Sequence, residues 1–312
     1  MNLQELKTAY NNGLITKPDY ISEMYKLHSC LFKYTEFIQD TDISQIEITD
    51  NCVVMTSRAN NVKIVCNYHD KRIAPIEILN FNYYEKSDFD FVCKIIEMTN
   101  NAEANILDIG ANIGWYSLNL AKKFPTTKIF SFEPIPSTFE RLKTNIKINH
   151  VNNIQEFNFG FSNLEKTLIF YYYPEGSGNA SSANLTNSAD VQKIPCAVKR
   201  LDDFINESHL SIDFIKCDVE GAELLVFQGG IDSIRKYNPV IFTEMLRKWS
   251  KQFNYHPNEI ISLLSTLGYQ CFTVKDGAFS EFISMDENTI ETNFFFLHSS
   301  RHSEQIKILT SP

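Results

Sequence analysis

From Asp88 onward, short apolar runs alternate with stretches whose apolar residues recur every three or four positions, and this alternation constrains the fold more than any other feature. The strand candidates are NILDIG, KIFSFEP, IQEFNFG, DFIKCD, PVIFTEM, YQCFTV and NFFFLHS. Helical spacing falls over 88–98, 117–123, 139–148 and 257–267, the last with Pro257 in its first turn and Gly268 just past its end. The pattern predicts a doubly wound α/β fold: a seven-stranded, mostly parallel sheet with helices on both faces. No helical run separates the last two strands, so the final one is expected to enter antiparallel, as an edge hairpin. Between Thr167 and Val198 the pattern breaks into LIFYYY, a Gly/Ser/Asn-rich loop and KIPCAV, which reads as an inserted hairpin.

The first 80 residues have a different texture. Helical spacing over residues 1–40 sets Ile21, Met24, Tyr25, Leu31 and Phe37 on one apolar stripe, and IEI, CVVMT and VKIVCNY follow as short antiparallel strands. We therefore expect an appendage at 1–80 beside a main domain at 81–312. The formal charge of −9 opposes a dedicated nucleic-acid surface. The polar start MNLQELKTAYNNG and the lack of a long apolar run predict no membrane span and a cytoplasmic location. Seven cysteines with no CxxC pair indicate reduced thiols rather than a disulfide or zinc framework.

Chemistry concentrates at the strand ends. Asp108-Ile-Gly110-Ala-Asn112-Ile-Gly114 closes an apolar strand and opens a helix, placing backbone and a carboxylate where open α/β sheets bind ligands. The dinucleotide fingerprint would need glycine at Asn112 and Trp115, and a pyrophosphate would sit poorly beside Asp108; no G-K-[ST] follows, so a P-loop is excluded too. Glu133, at the next strand end, can accept hydrogen bonds from both ribose hydroxyls. A nucleoside bearing positive charge is implied, and S-adenosylmethionine, with its sulfonium and α-amino group, fits.

These residues, with Phe161-Ser162-Asn163, the SSANL and VKRLDDFI segments, and FIKCDVEGAELLVFQGG followed by PVIFTEM, resemble the FkbM-type methyltransferase family over about residues 80–297. The resemblance implies a class I, Rossmann-like methyltransferase that uses S-adenosylmethionine to methylate a hydroxyl of a sugar, glycan or natural product. It implies that Asp108, Gly110, Asn112 and Gly114 hold the methionine end, Glu133 the ribose, Gly160 to Ser162 with Phe161 the adenine, and that Asp218 lies beside the methyl group. One departure stands out: the third strand end offers Asn158, Phe161 and Ser162 rather than a carboxylate for the adenine amino group.

Asp218, Glu220 and Glu223 close the fourth strand, and Glu244 ends the fifth. Glu223 serves equally well as a partner for the helix N-terminus. Methyl transfer to an alcohol needs a base, for which Asp218 ranks first, then Glu220 and Glu244, with His256 a distant option better read as a cap. Hard cations favour such oxygen ligands, but spacing alone assigns no metal. Tyr83-Tyr84-Glu85 could close over the cofactor or pack a helix, and Gly176 to Asn184 could be an acceptor lid or a plain hairpin loop. The acceptor pocket is expected among the appendage, residues 174–190 and Arg247 to His256, where Arg247, Lys248, Trp249 and Lys251 either touch an anionic or sugar acceptor or solvate a helix face. Aromatic abundance is compatible with a homo-oligomer. The competing classes are a silent cofactor-binding or scaffolding relative and a nicotinamide-dependent oxidoreductase, the latter opposed by the missing central glycine.

Overall fold

The computed structural model describes residues 1–99, 101–185, 191–275 and 277–311. The chain begins with α1 (Leu3–Asn11), closed by a reciprocal Asn2/Glu5 capping box, and α2 (Lys17–Phe37), capped by Thr16. Three antiparallel strands follow, β1 (Ile43–Ile48), β2 (Val53–Ser57) and β3 (Lys63–Cys66), then α3 (Ala74–Phe81) and α4 (Lys86–Met98). The alternating part runs β4 (Asn105–Ile109), α5 (Trp115–Lys123), β5 (Lys128–Phe132), α6 (Pro136–Asn149) and β6 (Ile154–Phe157). After it come β7 (Gly160–Phe161), β8 (Lys166–Tyr172) and β9 (Gln192–Lys199), a separate small sheet. The chain then returns through α7 (Leu201–Ser208), β10 (Phe214–Cys217), α8 (Glu223–Gly229), α9 (Ile231–Tyr237) and β11 (Val240–Glu244). It finishes with α10 (Arg247–Ser250), α11 (Asn258–Ser265), β12 (Tyr269–Lys275), β13 (Ala278–Glu281), β14 (Asn293–His298) and α12 (Ser303–Thr310).

Among the described residues the main sheet has eight strands in the order β13-β12-β14-β11-β10-β4-β5-β6. The eighth, β13, is the hairpin partner of β12, where seven strands are expected from the sequence. The final strand is antiparallel as expected but is not at the edge: β14 slots between β11 and β12 and pairs with both. Its composition explains the placement, since Phe294 and Phe296 pack on one face while Phe295 and Leu297 pack on the other. An edge would leave part of that surface exposed; in the interior each phenylalanine contributes about 3 kcal/mol at most from burial. IQEFNFG divides, its last residue joining β7 in the small sheet, and the predicted hairpin is β8–β9.

From β4 the chain winds outward to β5 and β6 on one side and to β10 and β11 on the other, so the strand order reverses at β4. A crevice is thereby left at the carboxyl ends of β4 and β10.

The N-terminal strands lie on α6. Asn145 and Asn149 accept from the backbone N–H groups of Val65 and Lys63 at 2.9 and 2.8 Å, so side chains of a helix satisfy the edge of β3. Val62, Ile64 and Ile73 share an apolar cluster with Ile113 and Leu118 of the alternating part. Helix α2 forms as its spacing predicts, but its stripe is not packed: it buries no residue, and Ile21, Tyr25, Leu31 and Phe37 are all exposed. No helix among the described residues is long and apolar enough to cross a membrane.

Candidate active site

The turn after β4 builds one wall of a cavity. Gly110 sits at φ +79°, and a Cβ there would fall 1.8 Å from the Asp218 carbonyl oxygen, so only glycine lets β4 and β10 meet at this level. Gly114, at φ +90°, turns the chain into α5. Asp108 is fully buried and aims at that helix rather than at the cavity. Its Oδ2 accepts from the Ser117 amide (3.1 Å) and hydroxyl (2.5 Å), and its Oδ1 lies 3.4 Å from the Lys216 ammonium. Asn112 takes a left-handed conformation and donates its amide to Glu133 Oε2 at 3.0 Å.

Glu133 closes the second strand inside the cavity wall. Its Oε1 accepts from the Ile135 amide at 2.9 Å, and burial pushes its carboxyl up to about 7 against the pull of these two backbone donors. Each oxygen keeps a second lone pair for a hydroxyl. Gly160, Phe161 and Ser162 line the adjoining wall; the Phe161 ring packs 4.7 Å from that of Phe132.

At the opposite wall the β10 turn presents Asp218 and Glu220. Asp218 Oδ2 lies 3.5 Å from Lys216, whereas Asp218 Oδ1 and Glu220 Oε2 are sealed from solvent with no hydrogen-bond partner. Glu244 stands beside them, and one oxygen from each of Asp218, Glu220 and Glu244 lies within 4.8 Å of the others. Burial, then the charge of Asp218, pushes both glutamates well above the ordinary carboxylate range. Such a set of hard oxygen donors could hold a divalent cation or face an organic one.

Glu223 belongs to the framework. Its Oε1 accepts from the Val219 and Gly221 amides and its Oε2 from the Tyr255 hydroxyl, so it closes the acidic turn from behind. His256 is exposed, and its Nδ1 accepts from the Asn258 amide, making it a cap. Arg247 is committed to the carbonyls of Asp286, Glu287 and Thr289, Lys248 lies over Trp249, and none of Arg247, Lys248, Trp249 or Lys251 lines the cavity. The loop after β8 is more than a plain hairpin: Ser177, Gly178, Ala180 and Ser182 line the cavity. Residues 186–190 of the expected acceptor region lie outside the described residues.

Lys216 and the partner of Glu85 escape sequence reading, whereas Tyr84, beside Glu85, does line the cavity. Lys216 is buried and donates to the Gly110 carbonyl at 3.1 Å while bridging Asp108 and Asp218; a lysine inside the apolar run FIKC is the signal that could reveal it. Glu85, left-handed at the start of α4, accepts from Tyr116 Oη at 2.7 Å, and burial pushes its carboxyl up to about 7. No spacing rule brings together residues so placed.

The Methyltransferase FkbM domain matches residues 108–271, from the Asp108 turn to β12. The chain belongs to the FkbM methyltransferase family. Among curated relatives, "Methyltransferase 1" of Beauveria bassiana is 31% identical over 142 residues, covering 40% of this chain and 57% of that protein. The "2-O-methyltransferase NoeI" of Sinorhizobium fredii is 29% identical over 166 residues, covering 48% and 67%. This chain thus spans little more than half the length of the first of these relatives. A crystal structure of Methyltransferase FkbM from Methylobacillus flagellatus superposes with a TM-score of 0.40 at 15% identity, covering 62% of this chain and 44% of that one.

Proposed function

We propose that this methyltransferase moves the methyl group of S-adenosylmethionine to a hydroxyl oxygen of a sugar, glycan or natural-product acceptor. The observation that carries the reading is the charge of the cavity: Glu133 stands at one end and Asp218 and Glu220 at the other, with Glu244 beside these two and Lys216 the buried cation among them. A pyrophosphate-bearing nicotinamide cofactor would be repelled there, whereas a sulfonium compound is attracted. Two relatives, named as a 2-O-methyltransferase and as a hexuronic acid methyltransferase, support an oxygen acceptor. We take residues 1–80 as an appendage to a catalytic domain at 81–312; Arg72 and Ala74 extend it into the cavity wall.

When bound, S-adenosylmethionine supplies an electrophilic methyl group on a sulfonium. Glu133 would hold the ribose, Asn112 and the Gly110 turn the methionine portion, and Phe161 with Ser162 the adenine. The carboxylates at the other wall would align the acceptor hydroxyl and take its proton as the new C–O bond forms and the methyl C–S bond breaks, its electron pair leaving with neutral S-adenosylhomocysteine; Asp218 ranks first, then Glu220 and Glu244. Burial makes both glutamates stronger proton acceptors than ordinary carboxylates.

Calorimetry of S-adenosylmethionine with the native chain and with Glu133→Ala, using NAD as competitor, tests this. Saturable binding, weakened by the substitution and untouched by NAD, supports it and leads to acceptor screening with glycan hydroxyls. A well-folded protein that binds nothing would favour a silent scaffolding relative.

A further inference from the structure

Outside the matched domain, Asp70 is as deeply buried as the catalytic framework, at 2% exposure. It sits in the turn between β3 and α3, and its bonds point across the molecule to the loop that follows β8. Its Oδ2 accepts from the Ser177 hydroxyl at 2.6 Å and from Arg141 Nη1 at 2.9 Å, and its Oδ1 from the Ser177 amide at 3.4 Å. Ser177 Oγ also lies 3.3 Å from Asn112 Oδ1, and the Asn112 amide is the one that holds Glu133. A single hydroxyl proton serves the nearer, charged acceptor, so Asp70 fixes Ser177 against the cofactor turn.

The same loop is tied down at a second point, where Ser181 Oγ donates to the Glu220 carbonyl at 2.9 Å. Between the two ties, Ser177, Gly178 and Ala180 roof the cavity bounded by Asn112, Glu133 and Glu220. Nearby, the Lys71 amide donates to the Glu175 carbonyl at 2.9 Å, so the residue after Asp70 holds the loop's approach as well.

We propose that Asp70 is a positioning residue for the cofactor, pinning residues 176–181 as a strap over the cavity, so that ligand passes in or out only when the Asp70–Ser177 link opens. The proposal rests on reading this cavity as the S-adenosylmethionine site. It assigns the segment preceding the family domain a task in catalysis, and it moves the role of the loop from acceptor recognition to cofactor retention. Its chemistry is that of a charge-assisted hydrogen bond in a buried setting, where loss of one partner costs far more than at a surface.

The test is release of S-adenosylhomocysteine, followed by stopped-flow fluorescence of Trp115, which lines the cavity. The proteins are the native chain, Asp70→Asn, Ser177→Ala and the double variant. Each single substitution is expected to speed release about tenfold, and the double variant to release no faster than the singles, because both cut one link. Ser177→Ala changes one loop hydroxyl and keeps the test valid if Asp70→Asn folds poorly. Native release rates in Ser177→Ala, or independent effects that multiply in the double variant, would overturn the strap while leaving the cofactor reading intact. Failure of the native chain to bind the ligand would overturn both.

Discussion

Glu133 and Glu223 lie at the same end of the main sheet as Glu220 and Glu244, yet the two pairs are held in opposite ways. Both oxygens of each member of the first pair meet donors: backbone amides for Glu133, backbone amides and Tyr255 for Glu223. Among the described residues no hydrogen bond or ion pair reaches the side-chain carboxylates of the second pair, and Glu220 Oε2 is sealed from water as well. Acids bonded to backbone are fixed in the turns, Glu133 keeping one lone pair on each oxygen for a hydroxyl; acids left unbonded are wholly available to a ligand. Lys216 marks the border, bonding to the Gly110 carbonyl while standing within 3.5 Å of both the framework acid Asp108 and the cavity acid Asp218.

The largest way to break this arrangement is Gly110→Ala. The new methyl would overlap the Asp218 carbonyl at a left-handed position, so framework and cavity acids must part, at a cost on the order of 4 kcal/mol or more in urea denaturation and with loss of cofactor binding. Next is Lys216→Met, which leaves Asp108 as an unpaired buried charge and should cost about 3 to 5 kcal/mol by the same assay.

A smaller effect separates the tiers by pH. Glu85, Glu133 and Glu223 are pushed by burial from an ordinary 4.5 up to about 7, so the folded chain binds protons that the unfolded chain has released. Their contribution to stability is complete below about pH 4.5 and is lost as pH rises through about 7, so the ligand-free protein should lose stability over that window. Glu85→Gln should reduce the slope by up to about 1.4 kcal/mol per pH unit, read from denaturation midpoints. The smallest stability change is expected from Glu244→Gln, within about 1 kcal/mol, because it removes a repelled charge without breaking a bond. A loss comparable to that of Lys216→Met would place Glu244 in the framework and erase the distinction.

Much of the framework was legible because strand ends carry their own signatures. Asp108, Glu133 and Asp218 each close an apolar run at the reading expected of adjacent parallel strands, and the three runs do lie on neighbouring strands. The direction of a carboxylate was not legible: Asp108 turns to Ser117 instead of the cavity, a choice made by the helix start that follows it. Contacts between distant segments were equally hidden. Glu85 meets Tyr116 and Asp70 meets Ser177 through packing that no local periodicity encodes. The α2 stripe carried a helical period but no information about what would cover it.

The central claim, that the unbonded carboxylates await a cationic methyl donor, is tested most directly by comparing the affinities of S-adenosylmethionine and its neutral-sulfur product S-adenosylhomocysteine across the pH range in which the chain stays folded. Ionisation of Glu220 and Glu244 should raise the preference for the sulfonium compound as pH increases, with Glu244→Gln flattening the rise. A preference that stays constant across the range, or a native chain that binds neither compound, would contradict the account.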